Sequence, residues 1–173
     1  FDIRKDTLYC DPTNSEKRKS TLLLLNIILN SLLRWFAPIL SFTTEEIYQL
    51  VSKKKKSIHL ENFIDFPENF KNSELNQKWL ELLKIRDACN LSIEEKRGSK
   101  LIGSSLEANL KIKLSKKNFD LARNIDFSEL CITSSASVEE SKSKEFEITT
   151  LKAEGSKCPV CWKISPHQCE RHN

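Results

Sequence analysis

Methionine is absent from the 173 residues, and glycine and proline are scarce, with 3 and 5 copies. So few turn-forming residues argue against a turn-rich β architecture and favour helices. The sequence also opens on Phe1 instead of methionine. We therefore expect a fragment of a longer polypeptide whose N-terminal part is missing.

Long uninterrupted hydrophobic runs are lacking as well. The most apolar stretch, TLLLLNIILNSLLRWFAPIL at 21–40, is about as long as a membrane-spanning helix. Asn26, Asn30 and Arg34 interrupt it, and a charge near the centre of a bilayer is costly. The stretch therefore predicts a buried helix of a globular protein, and we expect no membrane partner.

Neither sign of charge dominates, because 28 Lys and Arg against 24 Asp and Glu give a net charge of +4. This excess is compatible with an RNA partner but does not require one. Of the six cysteines, Cys10, Cys89 and Cys131 occur singly among apolar residues and are expected to be buried. The other three cluster near the end, unlike a secreted disulfide framework. We expect a reducing compartment, the cytoplasm.

Hydrophobic residues at helical spacing predict a long helix ending at about Phe36, with an apolar surface broad enough to need neighbours on more than one side. The capping-box spacing Thr-x-x-Glu at 13–16 predicts its start. Pro38 ends it. The same spacing at 43–46 predicts the start of a second helix. The lysines from Lys53 to Lys56 then predict a solvated loop.

A third helix is predicted over 74–96 from apolar residues at helical spacing. Beyond it the pattern changes to short alternating segments, and 106–114, 130–133 and 146–151 are strand candidates. The stretch 134–144 is rich in Ser, Glu and Lys and predicts a solvated loop or linker. The middle of the chain therefore predicts a small α+β segment.

The end of the chain carries two pairs of metal-binding residue types. Cys158 and Cys161 are separated by two residues, as are Cys169 and His172. Each such turn directs two ligands at one point, and two turns complete a tetrahedron around Zn²⁺. All four positions are then protein ligands, which predicts one structural metal ion without an open position. His167 is the alternative fourth ligand, and a disordered tail with free thiols is the alternative to a metal site.

A segment of about 20 residues cannot bury a core of its own, so metal binding is expected to supply its folding energy. Trp162 directly follows one candidate ligand and is too large to be buried in so small a unit. An exposed ring on a rigid support is a stacking platform for an unpaired base. The alternative is that the ring packs back onto the rest of the protein. Lys163, next to it, is a candidate RNA contact.

Five segments of the chain, in this order, resemble bacterial isoleucyl-tRNA synthetases. They are FDIRKDTLYCD at 1–11, WFAPILSFTTEEIY at 35–48, SIHLENF at 57–63, KLIGSSLEA at 100–108 and KCPVCW at 157–162. The first is similar to the start of the family's anticodon-binding region, and the last to its C-terminal zinc motif. Valyl and leucyl relatives would share the helical part alone. IGSSLEA together with the terminal zinc motif points to the isoleucyl enzymes.

The resemblance implies a mainly α fold. A class I synthetase anticodon-binding helical bundle is expected over 1–97, a small α+β segment and linker over 98–154, and a zinc-binding knuckle over 155–173. The whole enzyme would attach isoleucine to its tRNA with ATP, which binds the catalytic domain that this chain lacks. The chain alone is expected to be inactive, to bind one structural Zn²⁺ and to be a monomer. Its implied partners are the tRNA(Ile) anticodon stem-loop and the remainder of the synthetase.

By the same resemblance, the bundle grips the anticodon stem-loop, the knuckle helps to read the anticodon, and Trp162 matches a base-stacking tryptophan. Arg4 and Lys5 lie in the first resembling segment and join Lys163 as candidate RNA contacts. The sequence departs from the family pattern at Val160, where a basic residue is common, and in its short final loop that ends in a histidine. The alternative hypothesis is a free-standing zinc-containing module for RNA or protein interaction.

Overall fold

Residues from the beginning and the end of the chain together form one structural unit, and the residues between them form a second one. The computed structural model describes residues 1–52, 56–143 and 145–172. The first unit comprises Phe1–Asp6 and Asn72–Asn173, and the second comprises Thr7–Lys71. The predicted basic loop at Lys53 to Lys56 lies outside the described residues except for Lys56. The three-part division with boundaries after 97 and 154 stays a prediction.

The second unit is built on α2 (Glu16–Phe36) and α3 (Ser41–Val51), and it includes the end of α1 (Asp2–Cys10). The carboxylate of Glu45 on α3 accepts hydrogen bonds of 2.8 Å from the Ile58 amide and from the hydroxyl of the preceding serine. These bonds fix the loop after α3 to that helix. The small core of this unit consists of Leu33, Ala37, Tyr48 and Ile58.

Both predicted capping boxes are wrong, although the predicted end of α2 at Phe36 is confirmed. Ser15 caps α2, and its Oγ accepts a hydrogen bond of 3.3 Å from the Arg18 amide. A turn just before Ser15 places the cap two residues after the predicted one. The helix α3 begins at Ser41. Thr43 and Glu46 therefore lie inside this helix and do not cap its start.

The broad apolar surface of α2 is largely exposed, contrary to the prediction of neighbours on more than one side. Within this fully described helix only Thr21, Ser31 and Leu33 are buried. Helical spacing shows which residues share a face, but it does not show whether another element covers that face. No helix in the described ranges is long and apolar enough to cross a membrane. The exposed side chains of α2 include Leu22, Leu23, Leu24 and Trp35.

The first unit contains a three-stranded sheet of β1 (Ala108–Ser115), β2 (Ser135–Ser141) and β3 (Glu147–Lys152). The strand order is β2-β1-β3, with β1 parallel to β2 and antiparallel to β3. Parallel neighbours need a crossover instead of a hairpin. Here α5 (Lys116–Ala122) and α6 (Phe127–Leu130) form that crossover.

One face of this sheet is buried and the other is open. The buried face packs against α4 (Ser73–Gly98), which confirms the predicted third helix, in one core shared by the sheet and helices. Ser92 on α4 and Thr150 on β3 hydrogen-bond through their hydroxyls at 2.8 Å. The buried residues of β1 are Leu110, Ile112 and Leu114. The alternate residues on its open side are Asn109, Lys111 and Lys113.

Two of the three strand candidates are confirmed, since 106–114 contains most of β1 and 146–151 contains most of β3. The candidate at 130–133 is wrong because Leu130 ends α6. The predicted linker at 134–144 is also wrong, since most of it is β2. This strand lies at an edge of the sheet and presents little apolar surface to the core, so its composition resembles that of a loop.

Candidate metal centre and nucleic-acid interface

The cysteine-rich end of the chain forms a two-stranded ribbon, in which β4 (Ser156–Lys157) pairs antiparallel with β5 (Ile164–Ser165). At its tip the Cys158 amide donates to the Lys163 carbonyl at 2.9 Å, and the Trp162 amide donates to the Cys158 carbonyl at 3.0 Å. These bonds close the turn that carries the first two cysteines, so both thiols are directed to the same side.

Four predicted ligands meet at this turn. The Sγ atoms of Cys158, Cys161 and Cys169 and the Nδ1 atom of His172 all lie within 4.8 Å of one another. Nδ1 is 3.4 Å from Cys158 Sγ and 3.3 Å from Cys169 Sγ, and the sulfurs of Cys161 and Cys169 are 3.9 Å apart. Tetrahedral Zn²⁺, with bonds of about 2.0 to 2.3 Å, places neighbouring ligand atoms about 3.6 to 3.8 Å apart. The four residues therefore fit a metal ion of this size.

The structure distinguishes the two histidines near the end of the chain. The ring of His172 lies among the thiols, and its amide donates to the Cys169 carbonyl at 3.1 Å. His167 lies outside this group and is exposed, and its amide hydrogen-bonds to Ser165 Oγ at 3.2 Å. The turn that spaces Cys169 and His172 by two residues therefore brings the imidazole to the sulfurs, as its spacing predicted.

The first two thiols differ in their readiness to ionise. Hydrogen bonds from the backbone amides of Cys161 and Val160 to the Cys158 sulfur lower the pKa of Cys158 to about 6. Burial raises the pKa of Cys161 to about 11. At neutral pH Cys158 is therefore mostly a thiolate, whereas a metal ion that binds Cys161 has to displace its proton.

Side-chain contacts fix the ribbon to the rest of the first unit. Ser134, just before β2, accepts a hydrogen bond of 2.6 Å from the Ile164 amide, and its hydroxyl donates to the Leu106 carbonyl. At the other end of the cluster, Arg171 and Asp6 form an ion pair of 2.7 Å. The ribbon is therefore held from β2 and from α1.

Gly155 joins β3 to the ribbon in a conformation that only glycine adopts readily. Its φ is +119°, and a Cβ atom there would lie 2.1 Å from the carbonyl oxygen of Ser165. Both the backbone conformation and the close approach of β5 require the missing side chain. The sequence did mark this position, because Gly155 is one of only 3 glycines. The spacing of residues along the chain did not show, however, that β5 would pass beside it.

Gly155→Ala is expected to displace the ribbon, because the methyl group cannot share space with the Ser165 backbone. Amide hydrogen exchange should then accelerate at Ile164, while the sheet stays protected. Gly98→Ala is the matched control, because a Cβ atom there meets nothing within 4 Å and the change should be neutral or stabilise by up to about 1 kcal/mol. Equal exchange at Ile164 in both variants would contradict the prediction.

Trp162 projects from the turn that carries Cys158 and Cys161, with 59% of its surface exposed. Its φ of +64° lies in the left-handed region, which is uncommon for a residue with a side chain. The ammonium of Lys157 lies 5.3 Å from the ring centroid, a cation–π arrangement. The ring is thus presented to solvent on a fixed turn.

The three candidate basic contacts all have protein partners. Arg4 pairs with Glu129 at 2.8 Å, Lys5 pairs with Asp2 at 2.7 Å, and Lys163 lies 3.4 Å from the hydroxyl of Ser128. Because Ser128 and Glu129 are neighbours on α6, the structure brings Arg4 and Lys163 to the same short helix. Lys5 keeps its partner on its own helix. That Arg4, Lys5 and Lys163 contact RNA therefore stays a prediction.

Residues 1–114 match the family described as the anticodon-binding domain of tRNA ligase. This match covers more than half of the chain, and the chain belongs to that family. The mainly α fold class predicted from the resemblance is confirmed, with its small sheet and its cysteine-rich end.

The relatives are isoleucine–tRNA ligases, which confirms the resemblance. The chain is 64% identical over 173 residues to the enzyme of Pelagibacter ubique (strain HTCC1062), covering 100% of the chain and 19% of that protein. It is 39% identical over 178 residues to that of Bradyrhizobium diazoefficiens and 37% identical over 176 residues to that of Agrobacterium fabrum, covering 95% of the chain and 18% of each protein. The chain thus spans about a fifth of the length of the relatives it matches.

Proposed function

We propose that the chain is the anticodon-binding part of an isoleucine–tRNA ligase and binds the anticodon stem-loop of tRNA(Ile). The observation that carries the proposal is an exposed tryptophan on a rigid turn of a chain that belongs to the anticodon-binding family. The whole enzyme would attach isoleucine to its tRNA with ATP in the cytoplasm. This chain would act as a monomeric reading module joined to the rest of the synthetase, and it would not aminoacylate alone.

Zn²⁺ is the metal that the four clustered residues suit best. Three sulfurs and one imidazole nitrogen form a ligand set typical of structural zinc. Because all four ligands come from the chain, bound zinc would cross-link the turn and leave no position for a substrate. Cys158 and Cys161 are buried, which protects the site from water. Its role would be to hold the ribbon, and with it Trp162, in place.

Base stacking on Trp162 is the proposed contact with the anticodon. A base has a π face whatever its identity, and stacking on an aromatic side chain contributes about 1 to 3 kcal/mol per base. Lys157, near the same ring, supplies a positive charge for the adjoining phosphate. Arg4, Lys5 and Lys163 are further candidate phosphate contacts, and each would exchange its present partner for RNA.

Quenching of Trp162 fluorescence tests this function. The full chain carries Trp35→Phe and Trp79→Phe, so Trp162 is the remaining indole, and it is titrated with the tRNA(Ile) anticodon stem-loop. We expect quenching with zinc present, because the base stacks on a ring that the metal holds in position. The control measurements use a stem-loop with a scrambled loop sequence and protein treated with a chelator, and neither should quench.

Two results would contradict the proposal in different ways. Absence of quenching with binding retained in a direct assay would remove the stacking contact but keep the RNA-binding function. Absence of both quenching and binding would favour a protein-interaction module.

A further inference from the structure

We propose that the groove between the open sheet face and the ribbon binds the RNA strand that continues from the base at Trp162, with Lys111 as a phosphate contact. This inference rests on the proposed function and extends it to a second subsite in the same unit. The groove has a volume of about 710 Å³, which is within the range of small-molecule and nucleotide sites. Its lining includes Asn109, Lys111, Ser134, Leu151, Ser165 and Pro166.

The groove has walls that are already fixed. One wall is the open face of β1 and β3, and the other is β5 of the ribbon. Ser134 lies between them and accepts the hydrogen bond of 2.6 Å from the Ile164 amide, while its own amide donates to the Ala108 carbonyl at 3.1 Å. A strand of RNA would enter a site that needs little rearrangement, so binding would lose little free energy to ordering the protein.

The groove also lies close to Trp162 along the chain. The strand β5 begins at Ile164, two residues after Trp162, and two residues of extended chain span at most about 7 Å. The backbone of Trp162 therefore adjoins the ribbon wall of the groove, so an RNA strand that continues along this wall from a base at Trp162 would enter the groove. The exposed surface of Leu151, at 40%, provides an apolar patch against which a ribose or base can pack.

Charge distinguishes this end of the open face from the other end. In register, Lys111 faces Ser137 on β2 and Thr149 on β3, which are both neutral. Lys113 instead faces Glu139 and Glu147, at a spacing where opposite charges attract.

Lys111 therefore has only neutral residues directly opposite it on the two neighbouring strands, so its charge is not compensated there. Lys152 and Glu154 also line the groove, so its formal charge is positive. The open face beyond it carries more acid than base, which disfavours phosphate there. RNA fits this distribution better than a protein partner does, because the face consists mainly of small polar and charged side chains.

Lys111→Ala and Lys113→Ala form a matched pair for the test, since both residues lie on the exposed side of β1. Binding of a fluorescein-labelled tRNA(Ile) anticodon stem-loop to the zinc-loaded full chain is followed by anisotropy between about 50 and 200 mM salt. We expect Lys111→Ala to weaken binding about 5- to 10-fold at the low-salt end and to reduce the salt slope by about 1. Lys113→Ala should change affinity by less than twofold.

The outcomes separate this inference from the proposed function. Equal affinities of the two variants, with Trp162→Ala still weakening binding, would overturn the subsite and keep anticodon binding. Such a result would leave the groove as a surface for a protein partner. A wild-type chain without affinity for the stem-loop would overturn both proposals. The thermal unfolding temperatures of the two variants are also compared. If they are equal, a loss of binding comes from the missing charge and not from a loss of folded protein.

Discussion

Replacement of Cys161 by serine is expected to release the metal and unfold the ribbon while the sheet and α4 stay folded. Cys161 is 6% exposed and its sulfur lies 3.9 Å from that of Cys169, so the variant loses a buried ligand in the centre of the site. The strands β4 and β5 pair over two residues each, which is too little to persist alone. In small zinc-dependent domains, metal binding contributes about 10 to 16 kcal/mol of folding free energy.

Amide exchange and metal content together measure this result. The amides of Cys158 and Ile164 should lose protection, whereas those of Leu110 and Ile112 should keep it, and the zinc content should fall from one ion per chain to none. Cys10→Ser is the matched control, because Cys10 lies in α1, outside the metal-binding group. A Cys161→Ser protein that retains a full equivalent of zinc would show that the ligand set is wrong.

Trp162→Gly is expected to weaken RNA binding strongly while leaving the ribbon intact or more stable. The change removes the stacking surface, which contributes about 1 to 3 kcal/mol, or roughly 5- to 150-fold in affinity. Glycine adopts the left-handed conformation of this position, φ +64°, without the cost of about 1 to 3 kcal/mol that a residue with a side chain bears there. The two effects have opposite signs, so they are measured separately.

Stem-loop affinity and resistance to a competing chelator provide those two measurements. Trp162→Phe is the control for stacking, since a smaller ring in the same backbone conformation should retain most of the affinity. Trp35→Phe, in the second unit, controls for loss of an exposed indole elsewhere. The interpretation fails if the glycine variant binds RNA as the wild type does, or if it loses zinc faster.

The meeting of Cys158, Cys161, Cys169 and His172 could be predicted because the sequence information for it is local. Two residues separated by two others lie on one turn, as Cys158 and Cys161 do, and as Cys169 and His172 do. Only a short loop separates these two turns, so the chain can bring them together. The same locality explains the success for α4, where helical spacing over 74–96 sufficed. It also explains the prediction of β1, whose alternation is unbroken from Asn109 to Leu114.

The contacts that hold the ribbon could not be predicted, since they join residues that are far apart in the sequence. Ser134 is 30 residues from Ile164, and Asp6 is 165 residues from Arg171. No spacing rule connects such positions. The edge strand β2 was missed for a related reason: its pairing with β1 is decided by the crossover through α5 and α6, while its own composition resembles a loop.

The contact between Asp6 and Arg171 has a consequence for the order in which the chain folds. Because Phe1–Asp6 belongs to the same unit as the ribbon, residues 7–71 form an insertion within that unit. During synthesis the inserted unit can fold as soon as it emerges, while the first six residues wait for partners made more than a hundred residues later. Long-range closure of this kind slows folding. Within this unit, Phe1–Asp6 are therefore among the last residues to reach their final contacts, after the cysteine-rich end of the chain has been synthesised.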